Sequence, residues 1–285
     1  MKYALGTAQF GLDYGINNAR GKIPPAEIDG ILTAALSAGI EVLDTAPDYG
    51  NSEDLIGAFN SRHPEAFKIV TKLPDCGGEE AAWFFERSLQ RLKTGSVYGL
   101  LVHHFSAYEK DKSLGDVLKQ FKSQRRVKKI GFSLYYPKDL LKLFENAVDV
   151  DLVQVPYNIF DRRFEPFFGL LKARGVEVHA RSVFLQGLIF KQPDDLKGKL
   201  SPLSQKLASL HTLSRQHEIP LWAMALNFVQ LNENVDKVVL GVDGLTHLKS
   251  WLQAEQFLKS TKNILEELRM FQEDDEGVIL PVNWK

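Results

Sequence analysis

The chain has 285 residues, with 35 lysines and arginines against 36 aspartates and glutamates and a formal net charge of −1. A protein that binds nucleic acid or an anionic membrane usually carries an excess of positive charge, and this chain has none. Neither is therefore expected as a partner. Hydrophobic residues make up 44% of the chain, but no apolar run reaches the ~18 residues that span a bilayer. The amino terminus lacks the apolar stretch of a signal peptide, and Cys76 is the only cysteine, which predicts a cytoplasmic protein without internal disulfides.

Short hydrophobic runs alternate with amphipathic stretches along the chain. The runs are rich in leucine and β-branched residues, which is typical of buried parallel strands. We predict strands near residues 3–6, 40–43, 67–71, 97–102, 127–132, 151–155, 176–180 and 236–240. We predict helices near residues 25–39, 51–61, 79–93, 113–125, 137–147, 162–174, 203–217 and 246–259. Eight such units predict one α/β domain over residues 1–285, a (β/α)8 TIM barrel, for which ~250 residues is typical.

Polar side chains stand where the second, third and fourth predicted strands end. Asp44, Lys72 and His103 each follow a hydrophobic run directly, and Tyr49 lies on the loop after Asp44. The carboxyl ends of barrel strands converge on one mouth, where such barrels carry out chemistry. The sequence therefore predicts that these four side chains meet at the mouth.

These four groups together can move a proton. A phenol has an ordinary pKa near ~10, and we expect the Lys72 ammonium to lower the pKa of Tyr49. Asp44 can keep Lys72 charged and oriented, while a neutral His103 can donate a hydrogen bond to a carbonyl oxygen. The set suits the interconversion of a carbonyl and an alcohol.

These residues and their surroundings resemble the aldo-keto reductase family over nearly the whole chain. The matching segments are residues 5–11, 44–57, 70–72 and 101–103. The resemblance implies that Tyr49 gives a proton to a carbonyl oxygen while reduced nicotinamide gives hydride to the carbon, without a metal. It also implies a dinucleotide extended across the mouth, which agrees with the absence of a Gly-x-Gly-x-x-Gly fingerprint. The implied catalytic set is Asp44, Tyr49, Lys72 and His103.

The resemblance also places cofactor-binding residues around the mouth. Ser133 and Gln154 match residues that bond the nicotinamide carboxamide, whereas Leu134 stands where the family usually has asparagine. Arg181 replaces the aromatic ring that normally stacks on nicotinamide, so we expect weaker affinity for oxidised cofactor or a contact with an anionic substrate group. The candidates are Gly6, Thr7, Ala8, Ser133, Gln154, Arg181, Ser182, Leu185, Gly187, Gly241 and His247.

The turn after the last predicted strand matches the family's site for the adenosine phosphate. Exposed amides at a helix start attract phosphate. His247 aligns with a basic residue of the family and Trp251 with an asparagine, while Asp243 would repel a 2′-phosphate. The expected cofactor is NADPH by the family's habit, and NADH stays open.

Two other functions remain open. One is a non-catalytic barrel that binds the cofactor and senses redox state, against which the intact catalytic set argues. The other is a lyase with Lys72 as a Schiff-base nucleophile, which requires a neutral amine rather than one paired with Asp44. The short loop after Lys72 predicts an open pocket for a sugar or another small polar carbonyl substrate, and the oligomeric state is left open.

Overall fold

Eight parallel strands form a closed barrel, each hydrogen-bonded to the next in chain order and the eighth to the first. The computed structural model describes residues 2–284, so Met1 and Lys285 of the predicted 1–285 domain lie outside it. The strands are β1 (Tyr3–Gly6), β2 (Val42–Asp44), β3 (Lys68–Leu73), β4 (Val97–Val102), β5 (Val127–Ser133), β6 (Leu152–Pro156), β7 (Glu177–Arg181) and β8 (Lys237–Gly241). The predicted (β/α)8 TIM barrel is confirmed.

Helices surround the barrel. They are α1 (Ala8–Gly11), α2 (Pro25–Ser37), α3 (Ser52–Asn60), α4 (Gly78–Leu92), α5 (Phe105–Lys110), α6 (Ser113–Ser123), α7 (Pro137–Glu145), α8 (Phe168–Ala173), α9 (Ser204–Gln216), α10 (Leu221–Gln230), α11 (Leu245–Leu252), α12 (Leu258–Asn263), α13 (Leu265–Arg269) and α14 (Glu276–Ile279). No helix within residues 2–284 is long and apolar enough to cross a membrane.

Two predicted helices are shorter than the sequence pattern indicates. The segment predicted over 162–174 begins as a single 3₁₀ turn, Glu165–Phe167, which carries a proline near its start, and α8 follows directly. The segment predicted over 246–259 ends at Leu252 and continues through a 3₁₀ turn into α12. Helix α10 was not predicted, since nearly all of it is buried and it has no polar face to mark its period.

The barrel interior stacks a polar layer on an apolar one. One apolar cluster, separate from the larger core, consists of Ala4, Val42, Val70, Leu101 and Leu152. Side chains two positions apart on a strand point to the same face. The residues two positions beyond these five are Gly6, Asp44, Lys72, His103 and Gln154. Strand alternation alone therefore brings three of the four predicted catalytic groups to the carboxyl mouth.

Candidate active site

A buried ion pair joins β2 to β3. Lys72 Nζ lies 2.9 Å and 3.0 Å from the two carboxylate oxygens of Asp44, and it also donates to the Thr45 carbonyl oxygen at 2.8 Å. Burial lowers the pKa of Lys72, and the Asp44 carboxylate opposes that shift. Asp44 therefore favours the charged ammonium and fixes its position.

Two groups that were not predicted for this purpose support the pair. Gln154 Nε2 donates to Asp44 Oδ1 at 2.6 Å, so this amide orients the carboxylate. Glu53 is fully buried in the first turn of α3 and accepts a hydrogen bond from Thr71 Oγ1 at 2.8 Å. Burial raises the pKa of Glu53, and its carboxyl group also favours the charged form of Lys72. Glu53 falls inside the matching segment 44–57, but nothing in the sequence indicates that it is buried.

The Tyr49 phenol lies beside the ion pair, with Lys72 Nζ donating to its oxygen at 3.4 Å. Burial and the nearby Asp44 carboxylate raise the pKa of Tyr49 well above its ordinary value, and Arg181 opposes this rise. The expected lowering of this pKa does not hold here, because desolvation of the buried phenol is the largest influence and raises the pKa. The phenol therefore keeps its proton at neutral pH.

His103 is held by a carboxylate that the sequence did not assign to it. Its Nδ1 lies 2.9 Å from Asp48 Oδ2, and this contact lowers the pKa of Asp48, so the ionised carboxylate can only accept. Burial lowers the pKa of His103 to about 4, so the ring is neutral at pH 7. With its hydrogen on Nδ1, the neutral ring offers Nε2 as an acceptor. The expected donation from neutral His103 to a carbonyl oxygen requires the other tautomer, with the hydrogen on Nε2.

Asp48, His103 and His104 also bring potential metal-ligand atoms within 4.8 Å of one another. The spacing rules applied to the sequence missed this group, because Asp48 is far from the histidines in the chain. The two rings are stacked, with centroids 4.5 Å apart at 17° between planes. Ligands bind a metal along ring planes, and parallel stacked rings do not converge on one ion. The hydrogen bond to His103 accounts for the position of Asp48.

A cavity of about 520 Å³ opens beside Tyr49 and Asp44. Nine of the eleven predicted cofactor-binding residues line it: Gly6, Thr7, Ala8, Gln154, Arg181, Ser182, Gly187, Gly241 and His247. Ser133 and Leu185 do not. Ser133 is buried at the end of β5. Leu185 is buried in a tight turn in which residues 185–187 all have positive φ. Its neighbours Phe184 and Gln186 line the cavity instead.

An aromatic wall at one end of the cavity was not predicted as a unit. It consists of Phe184, Phe190, Trp222 and Trp251. Trp251 donates its indole N–H to the Gly241 carbonyl oxygen at 3.2 Å and lies 4.7 Å from the Phe184 ring. At the same end, Asp243 Oδ2 lies 3.5 Å from His247 Nδ1, and the centroid of the His247 ring lies 5.3 Å from that of Trp251. Trp251, which aligns with the asparagine of the family, therefore forms part of the aromatic wall at this end of the cavity.

A model of the Aldo/keto reductase family matches residues 2–270. The chain belongs to this family. The aldo-keto reductase is 22% identical over 270 residues to the uncharacterized oxidoreductase YqkF of Bacillus subtilis, covering 86% of this chain and 87% of that one. It is 25% identical over 288 residues to D-threo-aldose 1-dehydrogenase of a Pseudomonas species, covering 84% and 87%.

Solved structures agree on the architecture of this aldo-keto reductase. The holo form of aldo-keto reductase AKR11C1 from Bacillus halodurans superposes with a TM-score of 0.76, over 92% of this chain and 91% of that one, at 19% identity. At this identity the likeness concerns the fold. Family membership and the named relatives make the protein an oxidoreductase enzyme of the kind that reduces carbonyl groups with a nicotinamide cofactor.

The cavity of this aldo-keto reductase fits a nicotinamide dinucleotide. Two glycines, Gly187 and Gly241, line the cavity. A Cβ at Gly241 would lie 2.7 Å from Gln9 Nε2, and one at Gly187 would lie 2.8 Å from Asn17 Cβ. A side chain at either glycine would have to displace its neighbours. The cavity combines these backbone surfaces with the aromatic wall and with the hydroxyl of Ser182. Such a mixture suits a long ligand with flat rings and hydroxyl groups.

Proposed function

We propose that this aldo-keto reductase interconverts an aldehyde or ketone with its alcohol, with a nicotinamide dinucleotide as cofactor and Tyr49 as the proton donor. The observation that carries the proposal is the contact between the Tyr49 oxygen and Lys72 Nζ at the edge of the cavity. When bound, the reduced cofactor would supply the hydride.

The protein's own groups account for the proton. The raised pKa of Tyr49 keeps its hydroxyl protonated until negative charge develops on a carbonyl oxygen beside it. Lys72 then stabilises the phenolate that remains after proton transfer, and Asp44 holds Lys72 in place for this purpose. With its hydrogen on Nδ1, His103 would accept a hydrogen bond through Nε2, which suits a hydroxyl group of a substrate or of the alcohol product.

The charges around the cavity support NADH over the NADPH that the family's habit implies. Arg181 is the only arginine or lysine among the described residues that line the cavity. At the end with the aromatic wall, the Asp243 carboxylate lines the cavity, and a carboxylate accepts hydrogen bonds from ribose hydroxyls but repels a 2′-phosphate. We therefore propose NADH as the preferred cofactor.

A sugar or another small polar carbonyl compound is the proposed substrate. The name of the relative D-threo-aldose 1-dehydrogenase supports an aldose among the candidates. The alternative of a Schiff-base lyase has less support, because Lys72 Nζ already donates to three oxygen atoms within 3.0 Å. An amine bonded in this way is charged and not nucleophilic.

Binding and turnover test the proposal separately. Trp222 and Trp251 line the cavity, so titration with NADH and with NADPH is expected to quench tryptophan fluorescence. Aldehydes, including aldoses, are then screened by following cofactor absorbance. We expect Tyr49→Phe to bind cofactor normally but to lower kcat by about 10²-fold or more, as for loss of a general acid. Tyr136→Phe, which changes a tyrosine outside the cavity, is the matched control.

Three results would contradict the proposal. Failure of the wild-type protein to bind either dinucleotide would exclude the cofactor. Cofactor binding without turnover of any carbonyl compound would favour the redox-sensing alternative. Full activity of Tyr49→Phe would exclude Tyr49 as the proton donor while leaving the reaction itself in place.

A further inference from the structure

Arg181 brings a positive charge to the cavity that no carboxylate within residues 2–284 neutralises. It ends β7 and lines the cavity together with Tyr49. The acidic groups of the mouth are engaged elsewhere. Asp44 is bonded to Lys72, Asp48 to His103, and Asp243 lies beside His247.

The guanidinium is fixed in place but retains free donors. Its Nη1 donates to Ser182 Oγ at 3.2 Å and its Nη2 to the Leu134 carbonyl oxygen at 3.1 Å. The Tyr135 ring lies 4.1 Å from the guanidinium carbon, so one flat face has an aromatic partner. A guanidinium has five N–H donors, and these contacts use two of them. The remaining donors have no partner among the described residues.

The charge of Arg181 influences Tyr49 and Lys72. Arg181 lines the same cavity as Tyr49. It also lowers the pKa of Lys72 and opposes the rise in the pKa of Tyr49. A ligand whose carbonyl carbon faces Tyr49 therefore places its substituents near Arg181. The nicotinamide ring carries no negative charge, and it is cationic when oxidised, so it does not neutralise this arginine.

We propose that Arg181 binds the carboxylate of an anionic carbonyl substrate, an aldehyde acid or an oxo acid. This inference rests on the proposed function and narrows its substrate class. A planar carboxylate can accept two parallel N–H···O hydrogen bonds from a guanidinium. Its single negative charge matches the single positive charge of Arg181, the only arginine or lysine of the described chain that lines the cavity.

Matched substrates test the inference. We compare 4-formylbenzoate with 4-formylbenzamide, and succinic semialdehyde with 4-oxobutanamide; within each pair only the charge of the remote group differs. For wild-type enzyme we expect kcat/KM to be at least about tenfold higher for the acid than for the amide in one or both pairs, as charge-assisted hydrogen bonds contribute roughly this factor or more. In Arg181→Gln this ratio is expected to fall close to one.

Two further variants distinguish a direct contact between Arg181 and the carboxylate from an effect of the protein's overall charge. Arg181→Lys keeps the charge without the planar fork, so we expect an intermediate ratio. Arg62→Gln removes the same charge from an exposed arginine that pairs with Asp29 and does not line the cavity. We expect it to keep the wild-type ratio. Benzoate binding, measured by calorimetry on wild type and Arg181→Gln, provides a readout that needs no turnover.

The possible outcomes separate this inference from the proposed function. Turnover of acids and amides at equal kcat/KM, with benzoate binding unaffected by Arg181→Gln, would overturn the inference while leaving the reductase function intact. Benzoate binding that is lost in Arg181→Gln, without turnover of any aldehyde, would support the anion site and overturn the proposed function. An equal drop of the ratio in Arg62→Gln would assign the effect to the overall charge of the protein and overturn the direct contact.

Discussion

Lys72 and Asp44 form an ion pair that is almost completely removed from water, with Nζ 2.9 Å and 3.0 Å from the carboxylate oxygens and side chains that are 0% and 4% exposed. Removing charge from one member leaves the other buried without its counter-ion. Such a change typically costs about 3–5 kcal/mol of the free energy of unfolding. The pair is thus expected to contribute to folding as well as to proton transfer.

We predict that Asp44→Asn and Lys72→Met each lower the free energy of unfolding by about 3 kcal/mol or more. The double variant is expected to lose clearly less than the sum, because neither charge is then buried alone. Urea unfolding of the four proteins measures this coupling. Asp75→Asn, which breaks the exposed pair with Lys110, is the control and should change stability by less than about 1 kcal/mol. Additive losses in the double variant would show that the two charges are not coupled.

Helices α3 and α4 are in contact through Gly57. A Cβ at Gly57 would lie 1.9 Å from the Arg91 carbonyl oxygen, whereas a Cβ at Gly30 of α2 would meet nothing within 4 Å. We predict that Gly57→Ala destabilises the protein by about 2 kcal/mol or more through overpacking. Gly30→Ala, the same change in an open helical position, should stabilise it by about 0.5–1 kcal/mol. Thermal unfolding of both variants measures these shifts, and equal effects would show that α3 and α4 can separate without cost.

The fold and most of the site were predictable because they follow from local repetition. Alternation along each strand places Asp44 above Val42 and Lys72 above Val70, so the order of strands and the period of two suffice to bring them together. Gln154 was predicted at the mouth from the family resemblance, and alternation likewise places it above Leu152. Its hydrogen bond to Asp44, however, depends on distances across the barrel, which alternation does not give.

The remaining features arise from contacts that the sequence order hides. Asp48 precedes His103 by 55 positions, and only the closed barrel shows that it takes the Nδ1 hydrogen. The direction of the pKa shift of Tyr49 depends on how deeply the phenol is buried, which residue types alone do not reveal. Leu185 was misplaced with respect to the cavity because three consecutive residues with positive φ redirect the chain there.

The hydrogen bond between Asp48 and His103 predicts which ring nitrogen carries the hydrogen. Histidine ¹⁵N spectra of wild-type protein at pH 7 should show the tautomer with hydrogen on Nδ1 for His103. In Asp48→Asn the amide can donate as well as accept, so we expect a substantial population with hydrogen on Nε2. Asp75→Asn, a matched change at an exposed carboxylate, should leave the His103 signals unchanged. Hydrogen on Nε2 in the wild type would contradict the assigned role of His103 as an acceptor.

Stability should depend on pH through His103, whose side chain is 13% exposed. Its pKa is about 4 in the folded protein against an ordinary value of 6.5. Above pH 6.5 neither state binds the proton, and as pH falls towards 4 only the unfolded state binds it, so the free energy of unfolding decreases. Between pH 6.5 and 4.5 we predict a loss on the order of 2 kcal/mol from this group.

Urea unfolding of wild type and His103→Gln at several pH values isolates this contribution. The variant should lack the decrease between pH 6.5 and 4.5. Carboxylates with lowered pKa values change the free energy of unfolding over a lower pH range. Glu177, with a pKa of about 2, stabilises the fold above its ordinary value of 4.5 and loses that effect as pH falls towards 2. Parallel curves for the two proteins above pH 4.5 would show that His103 titrates normally.

Cofactor preference should depend on the charge of Asp243. Its carboxylate lines the cavity and lies 3.5 Å from His247 Nδ1 and 3.4 Å from Gln9 Nε2, so it is well placed to repel a 2′-phosphate. We predict that Asp243→Asn lowers the ratio of the NADPH Kd to the NADH Kd about fivefold, as expected for ~1 kcal/mol between nearby charges in water. Fluorescence titration measures both constants, with Asp194→Asn, an exposed change outside the cavity, as the control.

Salt concentration distinguishes repulsion from a change in cavity shape. The Debye length falls from about 10 Å at 0.1 M salt to about 3 Å at 1 M, so raising the salt should reduce the wild-type preference for NADH. The same increase should have little effect on Asp243→Asn, which no longer carries the repelling charge. A preference that is unchanged by salt in the wild type, or that persists in the variant, would mean that Asp243 does not select the cofactor by its charge. The aromatic wall around Trp251 would then be the feature to alter next, because it borders the same end of the cavity.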